Sequence, residues 1–104
     1  MEKIYNKLVR DNVPGIIIND EKKPLLRMVD GDEFEEALKS KLREECDEFL
    51  DSNKTDELVD ILEIIYKFAS LKGISIEELE DLREEKRERR GGFDKGIFLE
   101  KVEE

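Results

Sequence analysis

Histidine is absent from this 104-residue chain, and the absence removes a large part of the usual catalytic repertoire. Without imidazole there is no His-based triad, no His general base and no zinc site of the usual kind. Any catalysis must draw on carboxylates, lysine, arginine, tyrosine, hydroxyls or a metal-bound water. Cysteine is nearly absent too: Cys46 stands alone, which excludes an internal disulfide and reads as a small buried hydrophobe. No long apolar run and no signal-peptide pattern occurs, so the expectation is a cytoplasmic protein with no membrane partner. Internal repeats and low-complexity linkers are lacking as well, and the length accommodates one domain, residues 1–104, with no room for a second core.

What the chain has in abundance is charge. Charged residues make up 46% of it against 38% hydrophobic, so a core forms only if the apolar residues are segregated by periodicity. The net charge of -10 argues against a nucleic-acid backbone as main partner, because phosphates are repelled by most of such a surface. An anionic small molecule fits only where positive charge is local or supplied by metal.

Helical signals dominate the pattern and point to an all-α fold. Lys3 to Arg10 is a mixed segment with three basic side chains. Asp11-Asn12-Val13-Pro14 reads as a helix start, an Asx cap followed by proline in the first turn, with Ile16-Ile17-Ile18 making one short helix that ends near Asn19-Asp20. Pro24 to Val29 is apolar and extended. Asp30 or Asp32 caps the next helix, from about Glu33 to Leu50, and Asp30 with Glu33 has the spacing of a capping box. A tight turn at Asp51-Ser52-Asn53-Lys54 follows, then a helix capped by Thr55 that ends at Lys72-Gly73. Ser75 with Glu78 forms a second capping box, stapled by Ile74 and Leu79. The last helix, Ile76 to Arg90, stops at Gly91-Gly92, and the tail from Phe93 to Leu99 packs back on the body or onto a partner chain.

Within the antiparallel hairpin from Arg43 to Phe68, several acids fall where solvated acids need not be. At about 100° per residue, Ala37, Phe34, Leu38, Phe49, Leu42 and Cys46 sweep one arc. Glu45 falls near its middle, Glu48 between Ala37 and Phe34, and Glu44 just beyond the edge. On the second helix Glu57 lies between Ile64 and Phe68, with Asp60 at the border of the apolar face. Around a short turn Glu48 comes level with Glu57, and Glu45 with Asp60. Converging carboxylates in a desolvated pocket push each other's pKa values up unless cations neutralise them, and a hard divalent ion taking oxygen ligands is the natural solution. Glu45 and Glu48 pairing with Lys41, or with a neighbouring helix, is the competing reading.

The helix from Asp56 to Leu71 is apolar over more than half its circumference, since Val59 and Tyr66 extend the face beyond Leu58, Leu62 and Ile65. One antiparallel neighbour cannot cover that surface. The expectation is a homodimer, or a tetramer, whose helices complete a bundle.

Glu44-Glu45-x-x-Glu48 followed by Glu57-x-x-Asp60 resembles the signature of the all-α nucleoside triphosphate pyrophosphohydrolases, the MazG-like superfamily that includes phosphoribosyl-ATP pyrophosphohydrolase. Lys7-Leu8-Val9-Arg10-Asp11 and Lys86-Arg87-Glu88-Arg89-Arg90-Gly91-Gly92-Phe93 look like stretches of its small single-domain members, so the likeness spans nearly the whole chain. The resemblance implies a magnesium-dependent enzyme, manganese being a possible substitute, that cleaves a nucleoside triphosphate between its α and β phosphates to a monophosphate and pyrophosphate. By position it makes Glu45, Glu48, Glu57 and Asp60 metal ligands, and Glu44 a further ligand or the catalytic base. Only eight residues separate Glu48 from Glu57, short for the superfamily, so the base-binding loop and base selectivity of larger members are not carried over. Asn12 stands where many relatives have lysine.

Residue types suggest how such chemistry proceeds. Divalent ions bridging carboxylates and a triphosphate screen its charge and acidify a bound water that attacks phosphorus in line. Lys7, Arg10, Lys86, Arg87, Arg89 and Arg90 are the candidates for binding the substrate phosphates. The bland reading of the run from Lys86 to Arg90 is a solvated helix end that complements the dipole. Tyr66 and Phe93 read as core or interface residues rather than base-stacking platforms. Two functions of other kinds remain alternatives: phosphoribosyl-ATP hydrolysis, and a non-catalytic acidic helical module that binds a basic partner.

Overall fold

A computed structural model describes residues 2–104; Met1, at the head of the basic N-terminal segment, lies outside the described residues. Four helices carry the regular structure, and no strand occurs among the described residues. They are α1 (Val13–Asn19), α2 (Gly31–Ser52), α3 (Thr55–Leu71) and α4 (Ile76–Arg90), so the all-α expectation holds. Among these residues no helix is long and apolar enough to cross a membrane. The chain divides into two compact units, the first ending at Ile65 and the second being Tyr66–Glu104.

Helix α2 is longer than its sequence signals indicate. It begins two residues before Glu33 and continues two beyond Leu50, because Asn53 stops it from the left-handed region (φ 57°) with its N–H on the Phe49 carbonyl at 2.7 Å. Asparagine tolerates that conformation better than most residues. The expected four-residue turn therefore contracts to Asn53 and Lys54, with the Lys54 N–H donating to Ser52 Oγ. Thr55 begins α3 rather than preceding it.

Two expected N-caps are not made. Asp30 occupies the capping position of α2 without a side-chain capping bond, and Glu33 turns instead to Arg27, which donates to both its oxygens at 3.0 and 2.6 Å. A charged bidentate pair outcompetes the reach back to a single backbone N–H. Asn12 also makes no side-chain cap at α1; the Val13 N–H instead bonds the Arg10 carbonyl, and Pro14 in the first turn has no N–H to satisfy.

The termini beyond α3 follow the sequence closely. The Ile74 N–H bonds the Ala69 carbonyl and the Gly73 N–H that of Ser70, a Schellman closure in which Gly73 holds φ 75°. Ser75 Oγ accepts the Glu78 N–H at 3.1 Å and starts α4 at Ile76. The tail after Arg90 has no helix, and Phe93, Ile97, Phe98, Leu99 and Val102 are exposed along it.

Apolar periodicity sets what is inside. Leu38, Ile64 and Ala69 are buried, with Phe34, Ala37, Leu42, Cys46, Phe49, Ile61 and Phe68 half-buried. Along α3, positions 57, 60, 61, 64 and 68 recur at helical spacing and are all at least half-buried. The two acids of α3, Glu57 and Asp60, thus share a stripe with buried Ile64. A second apolar stripe, Leu58, Leu62 and Ile65 with Val59 beside it, remains 38–55% exposed.

Candidate metal centre

Glu44, Glu45 and Glu48 lie on consecutive turns of α2 and present carboxylate oxygens all within 4.8 Å of one another. The spacing explains it: residues three and four apart share a helix face. Glu45 is only 5% exposed, Glu44 half-buried, and Glu48 exposed, contrary to its place in the apolar arc; it meets the group from the solvent side. Glu57 and Asp60 of α3 are half-buried and outside that tightest trio.

Electrostatics tie the two helices into one centre. Burial raises the Glu45 pKa above the carboxylate norm; Glu48 and Asp60 push it further the same way, while Lys41 opposes them. Charge on Asp60 is therefore felt at Glu45, as expected where α3 turns back along α2 through a two-residue link. Glu44 behaves oppositely. Its hydrogen bond from Lys7 holds its pKa below the norm against some desolvation, with Lys41 helping.

Three cations already serve these acids. Lys7 Nζ donates to Glu44 Oε1 at 2.6 Å, and Arg10 Nη2 to Asp60 Oδ1 at 2.6 Å. Lys41 Nζ lies 3.3 Å from Glu45 Oε1 and 3.4 Å from Glu44 Oε2. The pairing of Glu45 with Lys41 is thus present, while Glu48 makes no ion pair among the described residues. Even so, the pairing is incomplete where it matters most: Glu45 Oε2 and Glu57 Oε2 are buried and have no hydrogen-bond partner. Leaving a buried carboxylate oxygen unsatisfied costs roughly 1–3 kcal/mol, more when charged. Acceptor-only oxygens of this kind, with no nitrogen or sulfur donor in the set, fit magnesium or manganese.

The basic residues of the sequence pattern divide into two groups. Lys7 and Arg10 sit on the acids themselves, linked across 37 and 50 positions that no periodicity connects, so sequence reasoning recognised their charge but missed their partners. Lys86, Arg87, Arg89 and Arg90 lie exposed at the end of α4 in the second unit. Arg87 there pairs with Asp94 at 3.2 Å and covers Gly92, where a Cβ would stand 2.5 Å from its guanidinium nitrogen. The other three make no ion pair among the described residues, consistent with a solvated, dipole-complementing helix end. A shallow depression on α4 is lined only by one helix face, Arg83, Glu84, Arg87 and Glu88, of mixed charge.

No protein-family model, no curated protein and no solved structure matches this chain.

Proposed function

We propose that the chain is a metal-dependent nucleoside triphosphate pyrophosphohydrolase of the MazG-like kind, working through the acidic centre of α2 and α3. The observation that carries this reading is Glu45: almost wholly buried, among like charges, with one oxygen left without a partner. Burying a carboxylate with one oxygen unpartnered costs the fold, and the single pairing with Lys41 leaves that oxygen unserved. A divalent cation held by Glu45 would give its orphaned oxygen a partner and relieve the repulsion among the acids.

Glu45, Glu48, Glu57 and Asp60 hold the metal in this proposal. When bound, magnesium supplies positive charge against the triphosphate and an acidified water. Glu44, half-buried beside Glu45 and Glu48, would accept the proton of the attacking water on a carboxylate oxygen. Water adds across the α–β anhydride, releasing nucleoside monophosphate and pyrophosphate. Lys7 and Arg10 provide cationic donors for phosphate oxygens at the same centre.

Assembly belongs to the proposal as well. The exposed stripe Leu58, Leu62 and Ile65, flanked by Val59, supports a homodimer in which α3 of two copies completes a bundle.

The test is pyrophosphate release from a panel of triphosphates, phosphoribosyl-ATP included, with magnesium. Turnover abolished by Glu48→Gln or Asp60→Asn supports the enzyme; no turnover on any nucleotide overturns it. A second reading is favoured by the seated cations: an acidic module whose carboxylates take basic side chains, as Lys7, Arg10 and Lys41 already do. Thermal-shift titration separates them. Saturable stabilisation by magnesium that Glu45→Gln removes favours the enzyme, whereas an indifferent melting curve favours the module.

A further inference from the structure

We infer that Lys7 and Arg10 are exchangeable counter-ions of the acidic centre: divalent metal displaces them from Glu44 and Asp60, and the released cations then bind the phosphate chain of the substrate. The inference rests on the metal-dependent reading above and adds to it an order of events, metal first and phosphate second.

Charge balance leads to it. When ionised, Glu44, Glu45, Glu48, Glu57 and Asp60 carry five negative charges, and Lys7, Arg10 and Lys41 return only three of them. The centre is short of positive charge even with its own cations in place, and the orphaned Glu45 Oε2, on a side chain more than nine-tenths buried, marks where the shortfall falls. Yet Lys7 and Arg10 each hold an oxygen of Glu44 and Asp60 at 2.6 Å, and Glu44 belongs to the trio whose carboxylate oxygens lie within 4.8 Å of one another. A cation entering the centre competes with these two side chains for the same oxygens.

The three internal cations are not equally able to yield. Lys41 is anchored within α2 itself, one turn from both its acids, and its side chain is 17% exposed. Lys7 and Arg10 belong to the helix-free segment before α1, and their side chains are 36% and 51% exposed. Moving them breaks no helix. Partly exposed ion pairs of this sort are weak, and a divalent ion gains far more from several carboxylates. Once released, a lysine and an arginine stand beside the metal with no carboxylate to neutralise them, and phosphate oxygens are the acceptors that suit both. Without metal the same side chains are occupied, so free triphosphate meets cations already paired and finds little to bind.

Calorimetry and NMR on the full chain test this. Magnesium alone should speed exchange of the Lys7 and Arg10 side-chain N–H protons with water in the wild-type protein, a measurement that needs no variant. The Lys7→Gln/Arg10→Gln double variant should bind magnesium about fivefold more tightly, and its magnesium-loaded form should bind inorganic tripolyphosphate about tenfold more weakly than wild type. Lys22→Gln/Lys39→Gln, an equal charge change at two lysines paired with Asp20 and Glu36, should alter neither. Unchanged N–H exchange on adding magnesium overturns the displacement, and so does a double variant that binds magnesium no more tightly than wild type. Full tripolyphosphate affinity in that variant overturns the second half. Failure of the parent reading looks different: wild type then binds no magnesium at all, or binds it equally well after Glu45→Gln.

Discussion

Arg10 and Asp60 meet across 50 residues of sequence, guanidinium nitrogen to carboxylate oxygen at 2.6 Å, and join the helix-free N-terminal segment to the inner stripe of α3. The contact uses one nitrogen of the guanidinium rather than the two-point fork that makes such pairs strong. Its members are 51% and 32% exposed, so water screens much of the attraction.

A double-mutant cycle on Arg10→Ala and Asp60→Asn should therefore give a small coupling, about 0.5–1 kcal/mol in metal-free protein, read from urea midpoints at constant m-value. Saturating magnesium should bring the coupling close to zero, because the metal takes over the carboxylate. A coupling of several kcal/mol that survives magnesium would falsify the view of Arg10 as a loosely held counter-ion.

Glu45→Gln should stabilise the metal-free protein at neutral pH. Burial raises the Glu45 pKa, so the folded chain holds that proton more tightly than the unfolded one, whose reference is 4.5. The sign follows directly: the ionised side chain penalises the fold above its raised folded pKa, and stability returns as pH falls toward 4.5. Glu44 runs the other way. Its pKa is lowered chiefly by the Lys7 hydrogen bond, so it contributes stability above 4.5 that is lost as pH falls through the lower folded value. Replacing Glu45 alone removes the first effect and leaves the second. The variant should melt higher than wild type at pH 7 without metal, by about 4–8 °C for each 1 kcal/mol relieved. With excess magnesium the order should invert, since ligand bound only to the folded state stabilises wild type alone. A lower melting temperature for metal-free Glu45→Gln would mean that the Lys41 contact outweighs the burial.

How much of this was legible beforehand depends on whether a feature is local. The helix starts and stops written in neighbouring residues, Ser75 with Glu78 and Gly73 after Lys72, form as their chemistry dictates. Where a rival partner exists nearby, the local rule fails: Glu33 leaves its capping role for Arg27. The inward aim of Glu45, Glu57 and Asp60 follows from a 3.6-residue period, whereas the exposure of Glu48 does not. Nothing in the spacing of Lys7 or Arg10 announces Glu44 or Asp60, because contacts between distant segments are set by the fold and carry no period. Composition could say only that cations were needed somewhere.

Left-handed backbone gives a prediction with no side-chain contact in it. Gly73 holds φ 75° at the end of α3, and a Cβ added there meets nothing within 4 Å. Gly73→Ala should therefore cost about 1 kcal/mol through backbone strain alone, seen as a lower urea midpoint. Asn53 has φ 57° between α2 and α3. Asn53→Gly relieves the same kind of strain and should be neutral or slightly stabilising, while Asn53→Val should destabilise clearly, because a β-branched residue fits that region poorly. Equal effects of Gly73→Ala and Asn53→Gly would contradict the conformational origin.

The outer stripe of α3 makes the last prediction, and here the competing outcomes are sharpest. Leu58, Leu62 and Ile65 recur at helical spacing and remain 38–47% exposed, with Val59 at 55% beside them. Scattered exposed leucines are ordinary on a protein surface, but a stripe at i, i+4 and i+7 is the pattern by which one helix seats on another. If two copies join there, Leu58→Lys with Leu62→Lys places four like charges across a two-fold interface and desolvates them. Sedimentation should then show the wild-type chain as a dimer or larger and the double variant as a monomer at micromolar concentration. Far-UV circular dichroism should be retained, since lysine is as good a helix former as leucine. Wild type sedimenting as a stable folded monomer would instead mean that this stripe faces water in solution, and the bundle would have to be closed within one chain.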